Sequence, residues 1–118
     1  MTNDLDSSLD LYVSAVLGRK AMEVVLLDVR ELTSIADVFL ICSGRSNRQV
    51  TAIAEFILDD LKKQGIRALS VEGLKDGHWV LLDYGHVIIH VFYEPVRKFY
   101  DLEGLWIDAK RIPTSPQI

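Results

Sequence analysis

The chain has 118 residues, of which 49% are hydrophobic and 25% are charged. This length supports one domain with a single core, and this composition is ordinary for a soluble globular protein. The 13 basic and 17 acidic residues give a net charge of −4, which argues against a generally basic, nucleic-acid-binding surface. The apolar runs are too short to cross a membrane, and the acidic, polar N-terminal segment is unlike a signal peptide. Since Cys42 is the single cysteine, no internal disulfide can form, and the sequence predicts a cytoplasmic protein.

The first part of the chain predicts one helix followed by two strands. Apolar residues recur there at helical spacing, and Gly18 follows them as a C-terminal stop. These apolar residues are Leu5, Leu9, Tyr12, Val13, Val16 and Leu17. The strands are predicted at Glu23–Val29 and Asp37–Ser43, and the second is apolar on both faces, so we expect it near the middle of a sheet. Cys42 lies in that strand and is predicted to be a buried, inert thiol.

A short polar turn, Ser43–Arg48, connects the second strand to a second helix. Ser46 and Gln49 have the spacing of a capping box. The helix is expected to bury Val50, Ile53, Ala54, Ile57 and Leu61, to end at Gly65 and to lead into a strand at Ile66–Glu72. A turn of this kind can also hold a phosphate, with Arg45 and Arg48 adding charge. Neither a Walker pattern nor a G-x-G-x-x-G motif is present, and an ordinary capped turn is the alternative.

Two apolar runs, Trp79–Leu82 and Val87–Phe92, flank a polar break at residues 83–86 and predict a β-hairpin. If residues 84 and 85 form the loop, residue 79 pairs with residue 90 and residue 82 with residue 87. Alternation then directs one face to the core, with His78 as its only polar member: Val80, Leu82, Val87, Ile89 and Val91. The opposite face holds Trp79, Leu81, Asp83, His86, Ile88 and His90. Its mixed chemistry predicts a surface that contacts a partner.

The last part of the chain predicts two short helical segments. Pro95 is well placed at the start of the first, and Leu102–Trp106 predicts a further helical turn. Residues 108–118 contain two prolines and no period, so we expect a flexible tail after a domain of residues 1–107. The order of elements predicts one α/β domain with a mixed sheet and helices mainly on one face.

The remaining chemistry-bearing residues indicate contacts with a protein better than they indicate a metal. His86 and His90 would lie about 13 Å apart on one strand at ~3.3 Å per residue, whereas zinc needs nitrogens about 2 Å from the metal. We therefore expect neither a metal nor a cofactor. Trp79, and Arg97, Tyr100 and Trp106 near the C-terminus, are of the residue types that dominate protein interfaces. The alternative is that these aromatic side chains simply close the core.

Four segments together resemble the signature of the ribosomal silencing factor family, also called RsfS or Iojap-like. They are Ala36–Val50, Val71–Gly73, Trp79–Gly85 and Arg97–Trp106. The resemblance covers roughly residues 5–107 and implies a fold similar to nucleotidyltransferases without their catalytic acids. The family usually has an acid where His86 stands, and Lys98 likewise replaces a frequent acid.

The resemblance implies a translation repressor that is not an enzyme. Such factors bind the fourteenth protein of the large ribosomal subunit, block joining of the small subunit sterically, and tend to form homodimers when free. Neither DNA nor a membrane is implied as a partner. Carried over by motif, the partner-binding residues are Trp79, Leu81, Asp83, Arg97 and Tyr100. The alternative function is a nucleotidyl- or phosphoryl-transfer enzyme using the Ser43–Arg48 turn. Such enzymes carry paired acids on the following strand to hold magnesium, and Ile66–Val71 has none.

Overall fold

A mixed six-stranded sheet forms the centre of the molecule in the computed structural model, which describes residues 4–113. In chain order the elements are α1 (Asp4–Leu17), β1 (Met22–Asp28), β2 (Val38–Gly44), α2 (Asn47–Lys63), β3 (Ser70–Glu72), β4 (Trp79–Asp83), β5 (Val87–Tyr93), α3 (Glu94–Tyr100), α4 (Leu102–Leu105) and β6 (Lys110–Ile112). The strands are arranged in the order β3-β4-β5-β2-β1-β6. Strand β2 runs parallel to β5, and the other neighbouring pairs are antiparallel. The predicted α/β domain with a mixed sheet is confirmed.

Strand β2 is buried along its whole length, as its continuous apolar sequence predicts. It lies between β5 and β1, so both of its backbone edges are hydrogen-bonded. Cys42 on this strand is free and fully buried. Burial raises the pKa of its thiol to about 12, which keeps the sulfur in its unreactive protonated form and confirms the prediction.

The two long helices, α1 and α2, cover one face of the sheet and form the main core with it. All five residues predicted to be buried in α2 are buried. In α1, Leu9, Tyr12 and Val16 are buried, whereas Leu17 is about half exposed and was wrongly assigned to the core. The side chain of Leu5 lies outside the described part of the structure.

The predicted capping box at the start of α2 forms in a modified version. Ser46 Oγ accepts a hydrogen bond from the backbone N–H of Gln49 at 3.0 Å, as the motif predicts. The Gln49 side chain reaches one residue further back than expected, and its Oε1 accepts from the backbone N–H of Arg45. The turn before α2 is therefore closed by two hydrogen bonds from its own residues.

The hairpin of β4 and β5 forms, but its pairing differs from the prediction by two residues. Trp79 pairs with Phe92 and Asp83 pairs with Ile88, and the backbone N–H of Tyr84 donates to the carbonyl of Val87 at 2.9 Å, so the turn is centred on residues 85 and 86 rather than 84 and 85. The Asp83 side chain accepts from the backbone N–H of Gly85 at 2.8 Å, and this local turn favours the observed position of the loop. A shift of two residues keeps every side chain on its own face. The predicted core face is accordingly fully buried: Val80, Leu82, Val87, Ile89 and Val91.

The other face of the hairpin belongs mostly to a second core, which corrects the prediction of an open contact surface. Ile88 and His90 are buried there, and Trp79 and Leu81 are half-buried. The cover comes from the C-terminal helices α3 and α4, which fold back over the sheet and contribute Val96 and Leu102. His86 lies in the loop instead of on this face. It is exposed, and its ring packs edge-on against Tyr12.

Both edges of the sheet differ from the sequence expectations. Strand β3 has three exposed residues, so the strand predicted at Ile66–Glu72 is much shorter. Residues 110–112, which were expected in the tail, form β6 and pair with β1; residues 114–118 lie outside the described part. Three residues are too few for a periodic pattern to be recognised, and β6 forms because β1 offers an unpaired edge.

Within residues 4–113, no helix is long and apolar enough to cross a membrane.

Candidate partner-binding surface

The two short C-terminal helices present large apolar side chains to solvent, and we call this region the apolar corner. It comprises Phe99, Tyr100, Leu105 and Ile107, whose exposed fractions are 80%, 50%, 75% and 75%. The rings of Phe99 and Tyr100 are in contact, with centroids 5.0 Å apart, and exposed apolar side chains grouped in this way are typical of interaction sites. The corner is therefore the strongest candidate for a partner-binding surface among the described residues.

Asp101 joins the two helices of the apolar corner. It ends α3 in a left-handed conformation with φ of 47°, which Asp adopts more readily than most residues. Its backbone N–H donates to the carbonyl of Arg97 at 2.9 Å, and its carboxylate accepts from the backbone N–H of Gly104 at 3.2 Å. One residue thus ends α3 and caps α4, which fixes the path of the backbone between Phe99 and Leu105.

Arg97 fastens the apolar corner to the sheet from beneath. Its side chain is buried, and Nη1 donates to Ser43 Oγ at 2.7 Å. Nε and Nη2 donate to the two carboxylate oxygens of Glu103 at 3.2 and 2.8 Å. Hydrogen bonding to Arg97 lowers the pKa of Glu103. Since every one of these contacts is internal, Arg97 positions the corner, and the structure does not place it at the surface that the motif suggested.

Trp79 supports the corner from the sheet. Its half-buried ring packs on Phe92 and on Tyr100, with centroid distances of 4.8 and 5.0 Å. Its indole Nε1 donates to Nδ1 of the buried His90 at 3.1 Å. Burial lowers the pKa of His90 to about 4, so the imidazole is neutral near pH 7 and its Nδ1 is free to accept this hydrogen bond.

The structure therefore brings together only some of the residues that the motifs proposed. Trp79 and Tyr100 are in contact, and Leu81 lies two residues along the same face of β4. Asp83 is half-buried at the far end of the strand, where it closes the hairpin loop. Sequence reasoning missed Phe99, Leu105 and Ile107, because a pattern in so short a helix does not reveal which side chains face solvent.

The Ser43–Arg48 turn is arranged as a capped turn. Ser43, which the enzyme alternative would use, is fully buried and accepts a hydrogen bond from Arg97. Ser46 caps α2, while Arg45 and Arg48 are exposed. Among the side chains of residues 9–113, which the structure describes, no group of three or more His, Cys, Asp or Glu could hold a metal ion.

A small α/β domain with an exposed apolar corner has the build of a binding module. The chain belongs to the ribosomal silencing factor family, because the family model described as "Ribosomal silencing factor during starvation" matches residues 2–118. The resemblance seen in four sequence segments is thereby confirmed. Membership of this family places the chain among ribosome-associated regulators of translation.

Individual relatives and a solved structure agree with this membership. The ribosomal silencing factor RsfS of Halalkalibacterium halodurans is 44% identical over 104 residues, which cover 88% of this chain and 89% of the relative. A crystal structure of a Chromobacterium violaceum protein superposes with a TM-score of 0.84 at 32% identity, covering 98% of this chain and 95% of the other. A mouse protein named "Mitochondrial assembly of ribosomal large subunit protein 1" is 28% identical over 101 residues, 83% of this chain and 44% of its own length.

Proposed function

We propose that this protein represses translation by binding the large ribosomal subunit and sterically blocking the small subunit from joining. The observation that carries the proposal is the apolar corner, an exposed apolar surface on a member of a ribosome-silencing family. The mouse relative, whose name refers to the large subunit, supports the choice of subunit. We place the protein in the cytoplasm, where such subunits join.

The proposed partner is the fourteenth protein of the large subunit, which the motif resemblance implies. Phe99, Tyr100 and Leu105 would supply the apolar centre of the contact, with Trp79 and Leu81 at its base. Asp83 would lie toward the rim, where an acid suits a basic ribosomal partner. Arg97 would act only by holding Tyr100 and its neighbours in place.

The energetics of the apolar corner are sufficient for a specific contact. Burying one large apolar side chain stabilises a complex by about 1.5–3 kcal/mol. Two or three such anchors can therefore dominate a standard interface, in which a few residues provide most of the binding free energy. Because Phe99 and Leu105 are mostly exposed, replacing them leaves the core unchanged.

The test is co-sedimentation of the protein with purified large subunits, comparing wild type with the double variant Phe99→Ser/Leu105→Ser. Loss of two interface anchors is expected to weaken binding roughly 30- to 1000-fold. Leu69→Ser is the matched control. Leu69 is similarly exposed, but it lies outside the apolar corner, beside the edge strand β3. Wild-type binding by the double variant, or equal loss in the control, would contradict the surface assignment.

We further propose that the free protein forms a homodimer that covers the apolar corner. An uncovered apolar patch favours self-association when its partner is absent. Sedimentation velocity is expected to show a dimer for wild type and a monomer for Phe99→Ser/Leu105→Ser. A wild-type monomer at high micromolar concentration would rule this out.

A further inference from the structure

Four exposed cationic side chains gather where the end of β2 meets the start of β1, and we call them the basic edge. They are Arg19 and Lys20, which follow α1, and Arg45 and Arg48, which lie at the start of α2. The start of β1 brings the two pairs together, because Met22 pairs with Ser43 at the end of β2.

Direct contacts show that these residues share one surface. Nε of Arg45 lies 3.3 Å from Sδ of Met22, two residues after Lys20. Arg19 and Lys20 line a groove of about 320 Å³ together with Gln49 and Ala52 of α2. Gln49 also accepts from the backbone N–H of Arg45, so the groove runs directly into the turn.

The charges of the basic edge are not neutralised by neighbouring acids. Among the described side chains, those of residues 9–113, the ion pairs are Arg30–Asp28, Lys63–Asp59 and Arg97–Glu103, and none involves these four cations. The guanidinium of Arg19 lies 6.0 Å from the centroid of the Phe56 ring, a contact that holds it against α2 without removing its charge. A chain with a net charge of −4 therefore carries a local concentration of free positive charge.

The turn that carries Arg45 lies next to the start of α3. Strands β2 and β5 are parallel and in register, with Gly44 opposite Tyr93. Their carboxyl ends therefore share one edge, from which β2 leads to Arg45 and β5 leads to α3. A partner that covers α3 and extends around this end of the strands therefore reaches Arg45 first and, beyond it, the face of α1 and α2 that carries the other three cations.

We propose that the basic edge binds the phosphate backbone of ribosomal RNA next to the protein partner on the large subunit, an inference that rests on the proposed function. Three of the four cations are arginines, whose planar guanidinium groups bind phosphate oxygens in a bidentate manner. Contacts to the backbone need no base sequence, which suits a surface that offers a ligand four flexible cationic side chains. The apolar corner would provide specificity, and the basic edge would add affinity and orientation.

The first test measures the affinity for purified large subunits over a series of salt concentrations. The basic-edge variant is Arg19→Gln/Lys20→Gln/Arg45→Gln/Arg48→Gln, and the matched control is Lys62→Gln/Lys63→Gln/Arg67→Gln/Lys75→Gln, which removes equal charge from other exposed positions. Each lost phosphate contact reduces the slope of log affinity against log salt by about 0.7–0.9. We expect the basic-edge variant to lose about two units of slope and about 10- to 100-fold in affinity at low salt. Equal slopes for the two variants would overturn the inference.

Two further measurements separate this inference from the proposed function. Protein-free RNA extracted from large subunits is expected to bind wild type with a steep salt dependence, and the basic-edge variant more weakly. This arm is informative even if whole subunits fail to bind, an outcome that would contradict the proposed function alone. A polyglutamate peptide that binds as well as the RNA would overturn the RNA assignment in favour of an acidic protein surface.

A charge-preserving variant tests whether the effect is electrostatic. Arg19→Lys/Arg45→Lys/Arg48→Lys is expected to keep most of the salt slope, whereas loss of binding equal to that of the glutamine variant would contradict phosphate contacts through charge. Unchanged melting temperatures are expected for all variants, because the four side chains are exposed.

Discussion

Arg97 and Ser43 lie 54 residues apart in sequence, yet the guanidinium of one donates to the hydroxyl of the other at 2.7 Å in the interior. This contact joins α3 to the end of the central strand β2. The same guanidinium holds Glu103 of α4. The exposed apolar corner is thus hydrogen-bonded to the most buried strand of the sheet through the side chain of Arg97, in addition to its apolar packing on the second core.

Removing the guanidinium is expected to destabilise the fold strongly. Arg97→Met leaves the carboxylate of Glu103 and the hydroxyl of Ser43 without their donor, and breaking a buried pair costs about 3–5 kcal/mol. Urea denaturation measures the loss. The double variant Arg97→Met/Glu103→Leu should recover part of it, because no charge then remains unpaired. A loss under about 1 kcal/mol in the single variant would show that Arg97 does not hold the corner.

Acid is expected to destabilise the protein through His90. Its pKa is lowered from 6.5 to about 4 in the folded state, so the unfolded chain takes up a proton first as the pH falls. Above pH 6.5 the imidazole is neutral in both the folded and the unfolded state, so it causes no pH dependence of the free energy of unfolding. As the pH falls from 6.5 toward 4, only the unfolded state takes up the proton, and the free energy of unfolding decreases progressively. The difference between the two pKa values corresponds to a loss in the free energy of unfolding on the order of 3 kcal/mol. Denaturation of wild type and His90→Gln between pH 7 and 4 measures it, and parallel pH profiles would contradict the assignment.

Truncation in the main core is expected to have the cost of a cavity. Ile89 is fully buried on the hairpin face that packs against α1 and α2. Ile89→Ala should reduce the free energy of unfolding by about 2–5 kcal/mol. Leu69→Ala, at an exposed position, is the control and should change it by less than about 0.5 kcal/mol. A small effect at residue 89 would be incompatible with the observed face assignment.

Trp79 is expected to stabilise the fold as well as the partner contact. The sequence assigned Trp79 to a face that contacts a partner, but the ring packs on Phe92 and Tyr100 and donates to His90. Because the ring is half-buried, we expect a loss of about 2–4 kcal/mol, somewhat below the range for a fully buried tryptophan. Trp79→Phe keeps most of the ring packing and should lose only about 1 kcal/mol, the value of one hydrogen bond. Unchanged thermal melting of Trp79→Ala would restore the original interpretation.

The sequence predicted the elements that follow strong periodic patterns and missed those that depend on distant contacts. The buried face of α2 and the aliphatic face of the hairpin were predicted residue by residue, because helical and strand periods map directly to burial. The hairpin pairing was wrong by two residues because a side-chain hydrogen bond of Asp83 to the backbone N–H of Gly85 favours a turn one residue later than predicted. Strand β6 and the buried position of Arg97 were missed because each is created by a partner far away in sequence, β1 for the former and Ser43 for the latter.

At the candidate surface, too, the sequence indicated which segments are involved but not which side chains face solvent. Motifs pointed to the segment 97–106, which contains Phe99, Tyr100 and Leu105 of the apolar corner, and to the pair Trp79 and Tyr100, which the structure brings into contact. They did not separate Arg97, which faces inward, from Phe99, which faces solvent. Which side chain of a short helix is covered depends on how the helix docks, and Asp101 and Glu103 determine that docking here.

The most direct test of the proposed repression is a subunit-joining assay. Purified large and small subunits are mixed at a magnesium concentration that supports joining, with increasing amounts of the protein, and the fraction of joined ribosomes is measured by sucrose-gradient sedimentation. We predict that wild type lowers this fraction in step with its occupancy of the large subunit, and that Phe99→Ser/Leu105→Ser does not. Unchanged joining at saturating occupancy by wild type would contradict the steric block.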